Sequence, residues 1–137
     1  ESNKVIKLKD LLYERDENDT KNSGGILYYY GDLVLLCLSS GSGKWNVPKG
    51  HIMKGEDPLD GAVREFKEET QIMLNGIPKL ENTYKKDNGG TFYLYVFKGE
   101  KRFVPHLDFE HTDWGYFDIG NLPEPIDDWV KETIEND

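Results

Sequence analysis

Two apolar runs in the first third of the chain contain few polar positions. They occupy residues 24–30 (GGILYYY) and 33–39 (LVLLCLS), and the dipeptide Gly31-Asp32 separates them. A two-residue turn between runs of branched and aromatic residues is typical of a β-hairpin. Because continuous apolar runs indicate strands that are covered on both sides, we expect this hairpin to lie inside the fold.

Further strands are predicted on either side of this hairpin. Residues 79–86 and 91–98 flank a glycine-containing turn and predict a second hairpin, and residues 112–117 predict a short strand. Residues 1–23 are polar and charge-dense. They indicate a peripheral edge strand and then a loop over residues 15–23.

Two segments carry apolar residues at helical spacing. The first, residues 57–70, begins with Asp57 as the predicted N-cap and Pro58 at the first helical position. The second, residues 126–136, is predicted to be a C-terminal amphipathic helix. Strands interleaved with two helices predict a mixed α/β sandwich, in a single domain that spans residues 1–137.

Composition limits the classes of partner. The formal net charge is −9, from 26 acidic and 17 basic residues, which disfavours nucleic-acid backbone unless a basic patch or a metal intervenes. No apolar run approaches the about 20 residues that cross a bilayer, so no membrane partner is expected. The single cysteine, Cys37, lies in an apolar run. We expect a buried thiol and a reducing, cytoplasmic compartment.

Carboxylates are concentrated between residues 50 and 72. Glu65, Glu68 and Glu69 fall on one arc of the first predicted helix, beside its apolar face. Side chains of like charge repel one another at such spacing, and a divalent cation among them makes the arrangement favourable. A glutamate-rich helix face is usually just exposed to solvent. The spacing of residues across the whole segment therefore has to decide between a solvated face and a metal site.

The spacing of residues 50–72 resembles the Nudix box. The matching positions are Gly50, Glu56, Arg64, Glu65, Glu68, Glu69 and Ile72, with Phe66 at a position that is usually aliphatic. Gln71 stands where the family has glycine, which predicts altered helix termination, with Asn75-Gly76 as the stop. The resemblance covers about residues 24–125. It implies an α-β-α sandwich with a mixed sheet, and metal-dependent hydrolysis of a nucleoside diphosphate linked to another moiety.

The resemblance also implies roles for individual residues. The expected cofactor is Mg²⁺, with Mn²⁺ as a substitute, because hard cations prefer oxygen ligands. The implied metal ligands are Gly50 (through its carbonyl), Glu65, Glu68, Glu69 and Glu110. Glu68 and Glu110 are the two leading candidates for the general base, and Glu56 is a lower-ranked candidate. Arg64 is expected to orient a glutamate, and His51, His106 and His111 are expected on the surface because they lack the spacing of zinc ligands.

The run Pro48-Lys49-Gly50-His51 resembles the diadenosine tetraphosphate hydrolases within the family. Lys49 and His51 would place donors beside phosphates. Trp45 and Tyr84 are further candidates for contact with a nucleotide, and the alternative for both is a core aromatic. The expected substrate is a dinucleoside polyphosphate.

Three other functions remain open on the sequence. One is a pyrophosphohydrolase acting on the 5′ end of RNA, and another is a hydrolase of nucleoside triphosphates or nucleotide sugars. The third is a Nudix-fold binding module without activity. The intact glutamates of the box argue against the binding module, because the loss of Glu65 or Glu69 would be its mark.

Overall fold

The computed structural model describes residues 19–107 and 111–137. Within those ranges the chain forms seven strands and two helices. The strands are β1 (Asp19–Tyr30), β2 (Leu33–Ser39), β3 (Trp45–Asn46), β4 (Lys49–Met53), β5 (Lys79–Lys85), β6 (Thr91–Gly99) and β7 (His111–Asp118), and the helices are α1 (Pro58–Thr70) and α2 (Asp128–Asn136). The prediction for residues 1–18 and the placement of Glu110 lie outside the described residues.

All seven strands belong to one mixed sheet. β1 runs parallel to β6 along one edge, and along its other edge it pairs antiparallel with β4 and then with β2. β2 continues to β3 and β7, and β5 lies beyond β6. Both predicted hairpins are confirmed, since Tyr30 pairs with Leu33 and Lys85 pairs with Thr91.

Each face of the sheet is covered by one of these helices. Ile26 and Tyr28 pack against Ala62 and Phe66 of α1, whereas the alternate residues of β1 pack in a cluster with α2. α1 approaches β1 closely, because a Cβ atom at Gly24 would lie 3.0 Å from the Cβ atom of Ala62. The predicted sandwich around a mixed sheet is therefore confirmed.

Two expectations from composition concern Cys37 and membrane helices. Cys37 is fully buried, as expected from its apolar run. In the part of the chain that the structure describes, neither helix has the length and apolar character needed to cross a membrane.

Helix α1 begins as predicted but ends differently. The side chain of Asp57 accepts a hydrogen bond from the Leu59 amide at 2.9 Å, and Pro58 occupies the first turn. The helix stops at Gln71, which adopts a left-handed conformation (φ 66°, ψ 20°) and donates its N–H to the Lys67 carbonyl at 2.7 Å. The expectation that Asn75-Gly76 ends the helix is wrong. Glutamine tolerates the left-handed region at a cost of about 1–2 kcal/mol, so glycine is not obligatory there.

Two other boundaries and one whole strand differ from the predictions. β1 begins at Asp19, so the loop predicted up to residue 23 is wrong over its last residues, where polar side chains occupy a paired strand. β4 is absent from the predictions. α2 begins at Asp128, two residues after the predicted start at residue 126. The reason is that the Asp127 side chain caps the helix by accepting hydrogen bonds from the amides of Trp129 and Val130. Ile126 instead forms a bridge with Trp45.

Candidate active site

The guanidinium group of Arg64 joins three carboxylates and one carbonyl. Its Nε and Nη2 atoms donate to the two oxygens of Glu56 at 2.9 and 3.1 Å. Nη1 donates to Glu65 at 2.9 Å and to Glu68 at 3.2 Å. Nη2 also donates to the carbonyl of His51 at 2.9 Å. Arg64 therefore ties α1 both to β4 and to the segment that precedes the helix.

These contacts keep both partners of the Arg64–Glu56 pair charged. The hydrogen bonds from Arg64 hold the pKa of Glu56 below its usual value, against an opposing effect of burial, and the Met53 amide lowers it further. In return, the bonds to Glu56 raise the pKa of Arg64. The cluster thus carries a fixed positive charge at its centre, which offsets part of the repulsion among the glutamates.

Two box glutamates are buried and one is exposed. Glu65 and Glu69 retain 7% and 0% of their accessible surface, whereas the side chain of Glu68 is 42% exposed. The carboxylate of Glu65 rests on the backbone of β4, because a Cβ atom at Gly50 would lie only 2.0 Å from its Oε1 atom. Glycine at this position is therefore a requirement for the placement of Glu65. Gly50 itself is a residue of strand β4.

The donor atoms of this cluster suit a hard divalent cation. Mg²⁺ and Mn²⁺ prefer oxygen ligands, and the cluster offers the carboxylate oxygens of Glu65, Glu68 and Glu69 and the carbonyl oxygen of Gly50. Because Gly50 has no side chain, the carboxylate of Glu65 occupies the space where a Cβ atom would lie. Among residues 19–107 and 111–137, no three acidic, histidine or cysteine side chains already converge as ligands. Arg64 bonds two of these carboxylates, and Glu110 lies outside those ranges.

His111 is part of the same cluster. It opens β7, and its Nδ1 atom lies 3.2 Å from the Oε1 atom of Glu69. The two side chains are only 9% and 1% exposed. The expectation of a surface histidine is therefore wrong for His111, because the pairing of β7 with the end of β2 brings it against the last turn of α1.

Lys49 and His51 flank Gly50 on β4 and point to the opposite face of the sheet, because side chains alternate along a strand. The register agrees with this placement. Lys49 pairs with Gly25, and a Cβ atom at Gly25 would meet both Lys49 and Val47, which belongs to the cluster under α2. β4 thus presents Gly50 to the glutamates and its two basic residues to the α2 face.

Trp45 and Tyr84 also pack with the cluster under α2. The ring of Tyr84 stacks on Trp129 with 4.9 Å between ring centres, and its hydroxyl lies 2.8 Å from the Thr133 hydroxyl. Trp45 packs edge-on against Phe117 at 4.8 Å. Both residues are half-buried in packing contacts, and their contact with a substrate stays a prediction.

A model of the NUDIX domain matches residues 21–136 of this chain. The chain belongs to the NUDIX domain family. This confirms the resemblance that the box indicated and places the chain in a family of hydrolases. The matched range includes Gly50, Glu56, Arg64 and the glutamates of α1.

Individual relatives are similar over parts of their length. A nucleoside triphosphate pyrophosphatase/Nudix hydrolase fusion protein of Bifidobacterium longum is 38% identical over 63 residues, which cover 46% of this chain and 13% of that protein. A bis(5′-nucleosyl)-tetraphosphatase (asymmetrical) of Caenorhabditis elegans is 30% identical over 100 residues, which cover 64% of this chain and 68% of that protein. The chain spans 39% of the length of a mouse bis(5′-nucleosyl)-tetraphosphatase.

The fold is shared with solved Nudix structures. An Ap4A hydrolase of C. elegans, solved as a binary complex, superposes with a TM-score of 0.66 at 21% identity, over 83% of this chain and 93% of that one. At this identity the likeness establishes the fold alone. It agrees with the mixed sheet and the two covering helices.

Proposed function

We propose that this chain is a pyrophosphohydrolase that cleaves a phosphoanhydride bond in a nucleoside polyphosphate, with Mg²⁺ or Mn²⁺ as cofactor. The observation that carries the proposal is the buried pair Glu65 and Glu69, one helical turn apart, with Glu65 seated on Gly50. Buried carboxylates are costly unless positive charge compensates them. Membership of a family that generally uses divalent metals supports the same conclusion.

The proposed metal ligands are the Gly50 carbonyl and the carboxylates of Glu65, Glu68, Glu69 and Glu110. When bound, the ion neutralises charge on the phosphate oxygens and lowers the pKa of water. Arg64 acts as a positioning residue, since its bonds to Glu65 and Glu68 restrict the rotamers of both carboxylates. Its two bonds to Glu56 lock the segment before the helix against α1.

Glu68 and Glu110 are the proposed alternatives for the general base. Glu68 is the most exposed of the four box glutamates, and a base that activates water needs access to it. Glu56 ranks behind them, because Arg64 and the Met53 amide already occupy both of its oxygens. Its bonds suit a role in positioning rather than in proton transfer.

We further propose a dinucleoside polyphosphate of the diadenosine tetraphosphate type as the substrate. Lys49 and His51 lie on either side of Gly50 on β4, so that strand presents two possible phosphate donors on the face of the sheet opposite the proposed ligands. Extra phosphates carry extra negative charge, which such donors can bind. The relatives in C. elegans and mouse that are named bis(5′-nucleosyl)-tetraphosphatases support this choice. Trp45 and Tyr84 are the proposed contacts to the nucleoside.

The proposed partner is thus a small nucleotide, and the proposed compartment is the cytoplasm. Cys37 is fully buried, and the sequence contains no second cysteine with which it could form an internal disulfide. A chain of this kind suits reducing surroundings.

A substrate panel tests the proposal. Phosphate or nucleotide release is measured with diadenosine tetraphosphate, nucleoside triphosphates, a nucleotide sugar and triphosphorylated RNA, each with Mg²⁺ and with excess EDTA. We expect the fastest hydrolysis with the dinucleotide and none in EDTA. A preference for RNA or for triphosphates would replace the proposed substrate but not the chemistry. Hydrolysis of none of them would favour the binding module.

A matched pair of variants tests the carboxylate cluster. Glu69→Gln keeps the size of the side chain and removes its charge, so turnover should fall on the order of 10³-fold. Glu132→Gln is the control, because Glu132 is exposed on α2 and away from the cluster. A near-normal rate for Glu69→Gln would contradict the proposed ligand set.

A further inference from the structure

Strand β5 forms one outer edge of the sheet. It pairs with β6 on one side, and no other described strand pairs with it. Its seven residues give this edge a length of about 23 Å, at about 3.3 Å for each residue. An edge of this kind presents backbone N–H and C=O groups to which another strand can bind. The side chains beside the edge therefore decide which strand fits it.

Contacts with α2 hold β5 in place. The side chain of Asn82 donates to the Thr133 hydroxyl at 3.0 Å, and the hydroxyl of Tyr84 lies 2.8 Å from the same group. The ring of Tyr84 also stacks on Trp129. A second strand would therefore meet a backbone that is already ordered, which reduces the entropy lost on binding.

The charges along β5 and the turn that follows it are arranged antisymmetrically about Thr83. Lys79 and Glu81 precede Thr83 by four and two residues, and Asp87 and Lys85 follow it at the same distances. Each basic residue of this set thus corresponds to an acidic one on the other side of Thr83. Four of the five residues are exposed, and Glu81 is partly so. A strand with this pattern is complementary to a reversed copy of itself.

β7 is the other long strand that pairs along one edge only among the described strands, and it lacks this pattern. Its carboxylates, Asp113 and Asp118, are exposed, and the strand contains no lysine or arginine. Two copies of β7 would therefore bring acidic groups together without a basic counterpart, which is unfavourable. Of these two edges, β5 is the one that suits a second copy.

We propose that β5 is an interaction surface for a second copy of this chain, with the two β5 strands paired antiparallel about a two-fold axis at Thr83. Glu81 would lie opposite Lys85 of the second copy, and Lys79 opposite Asp87 of the second copy. Symmetry makes each of these pairs occur twice. The proposal does not depend on the proposed function, because β1 and β6 separate β5 from β4 and the glutamates beside it.

The remaining positions of this pairing determine its strength. Lys86 would lie opposite Leu80, which is 45% exposed, so no like charges meet. Leu80 and Asn82 oppose consecutive residues of β6, which makes Glu81 the extra residue of a bulge. A bulge disrupts part of a hydrogen-bonded ladder, and one strand edge is small beside the about 1,600 Å² of a standard interface. We therefore expect a weak dimer that forms as the concentration rises.

Sedimentation equilibrium between about 10 and 500 µM tests the proposal. The wild-type chain should dimerise towards the upper concentration. Lys85→Glu and Glu81→Lys should each weaken dimerisation about tenfold or more, because each places like charges opposite one another at two positions. Lys44→Glu is the control for net charge, since Lys44 is exposed and precedes β3 at the other end of the sheet.

A mixture of two variants separates this pairing from general effects of charge. Lys85→Glu has acidic residues at positions 81 and 85, and Glu81→Lys has basic residues at both. Their mixture should therefore form heterodimers at concentrations where each variant alone is monomeric. Glu81→Lys mixed with Lys44→Glu should not, because like charges would still meet at one pair of positions.

Thermal unfolding followed by circular dichroism establishes that each variant is folded. A wild type that stays monomeric at the highest concentration would overturn the inference. So would equal dimerisation of Lys85→Glu and Lys44→Glu, or a mixture of Lys85→Glu and folded Glu81→Lys that stays monomeric. If Glu81→Lys does not fold, the comparison of Lys85→Glu with Lys44→Glu decides the question by itself.

Discussion

The Nδ1 atom of His111 lies 3.2 Å from the Oε1 atom of Glu69, and this contact joins the start of β7 to the last turn of α1. Both elements are regular secondary structure, so neither side chain can move far without the sheet or the helix. A proton on Nδ1 makes the contact attractive and restricts the rotamer of Glu69. Residues that orient a metal ligand tune the affinity of a metal site, and Glu69 is one of the ligands proposed above.

Replacement of His111 should therefore weaken metal binding. We expect His111→Ala to lower the affinity for Mn²⁺ by about 10- to 100-fold, measured by electron paramagnetic resonance of the free ion. His111→Asn keeps an N–H group near the position of Nδ1 and should recover most of the affinity. His106→Ala is the control, since that side chain is exposed. Equal affinities of His111→Ala and the wild type would exclude this role.

Gly50→Ala should disable the site through a steric effect. The new Cβ atom would fall within 2.0–2.6 Å of three atoms of Glu65, so that side chain must leave its position on β4. Because a small displacement of a catalytic group is costly, we expect turnover to fall on the order of 10²-fold. Gly41→Ala serves as the control, because a Cβ atom there would lie 3.8 Å from the Ser39 hydroxyl, which is an ordinary contact. Similar rates for both variants would show that Glu65 tolerates displacement.

The Arg64–Glu56 pair should contribute to stability only above acidic pH. Arg64 lowers the pKa of Glu56 in the folded chain below the ordinary value of 4.5. The stabilisation is therefore fully present above pH 4.5 and is lost as the pH falls through the lower, folded-state pKa. Glu56→Gln should cost about 1–2 kcal/mol in urea unfolding at pH 7 and progressively less below pH 4.5. A cost that stays constant down to pH 3 would rule out this linkage.

Gln71→Gly should stabilise the fold. Gln71 ends α1 at φ 66°, a conformation that glycine adopts without steric cost. We expect the free energy of unfolding to rise by roughly 0.5–1 kcal/mol after allowing for the greater flexibility of glycine. Gln71→Ala keeps a Cβ atom and should show no gain. Equal stabilities of the glycine and alanine variants would mean that Gln71 is not strained.

The helix of the box was predictable because its signals are local. Asp57 and Pro58 mark its start, and the glutamates have a spacing that a helix places on one side. β4 was not predictable in the same way. Its residues Lys49–Met53 include a lysine, a glycine and a histidine, and they form a strand because β1 offers an edge to pair with. Pairing with a distant strand, rather than local residue preference, therefore makes residues 49–53 a strand.

The contacts of Lys86 and His111 also depend on long-range pairing. Lys86 meets Ser23 because β6 runs parallel to β1 and carries the β5–β6 turn to the start of that strand. His111 meets Glu69 because β7 pairs with β2. In the sequence neither residue belongs to a recognisable motif, and the available signal was its nearness to a predicted turn or strand end.

The alternation of side chains along β4 links the proposed chemistry at the glutamates to the proposed substrate selectivity. Gly50 faces the glutamates because Lys49 and His51 face away from them. A slip of this strand by a single residue against β1 would turn an imidazole or an ammonium group towards Glu65 and leave a glycine where the lysine had been. Chemistry and selectivity would fail in the same event, so mutations that loosen this pairing should be harmful even when they touch neither set of side chains.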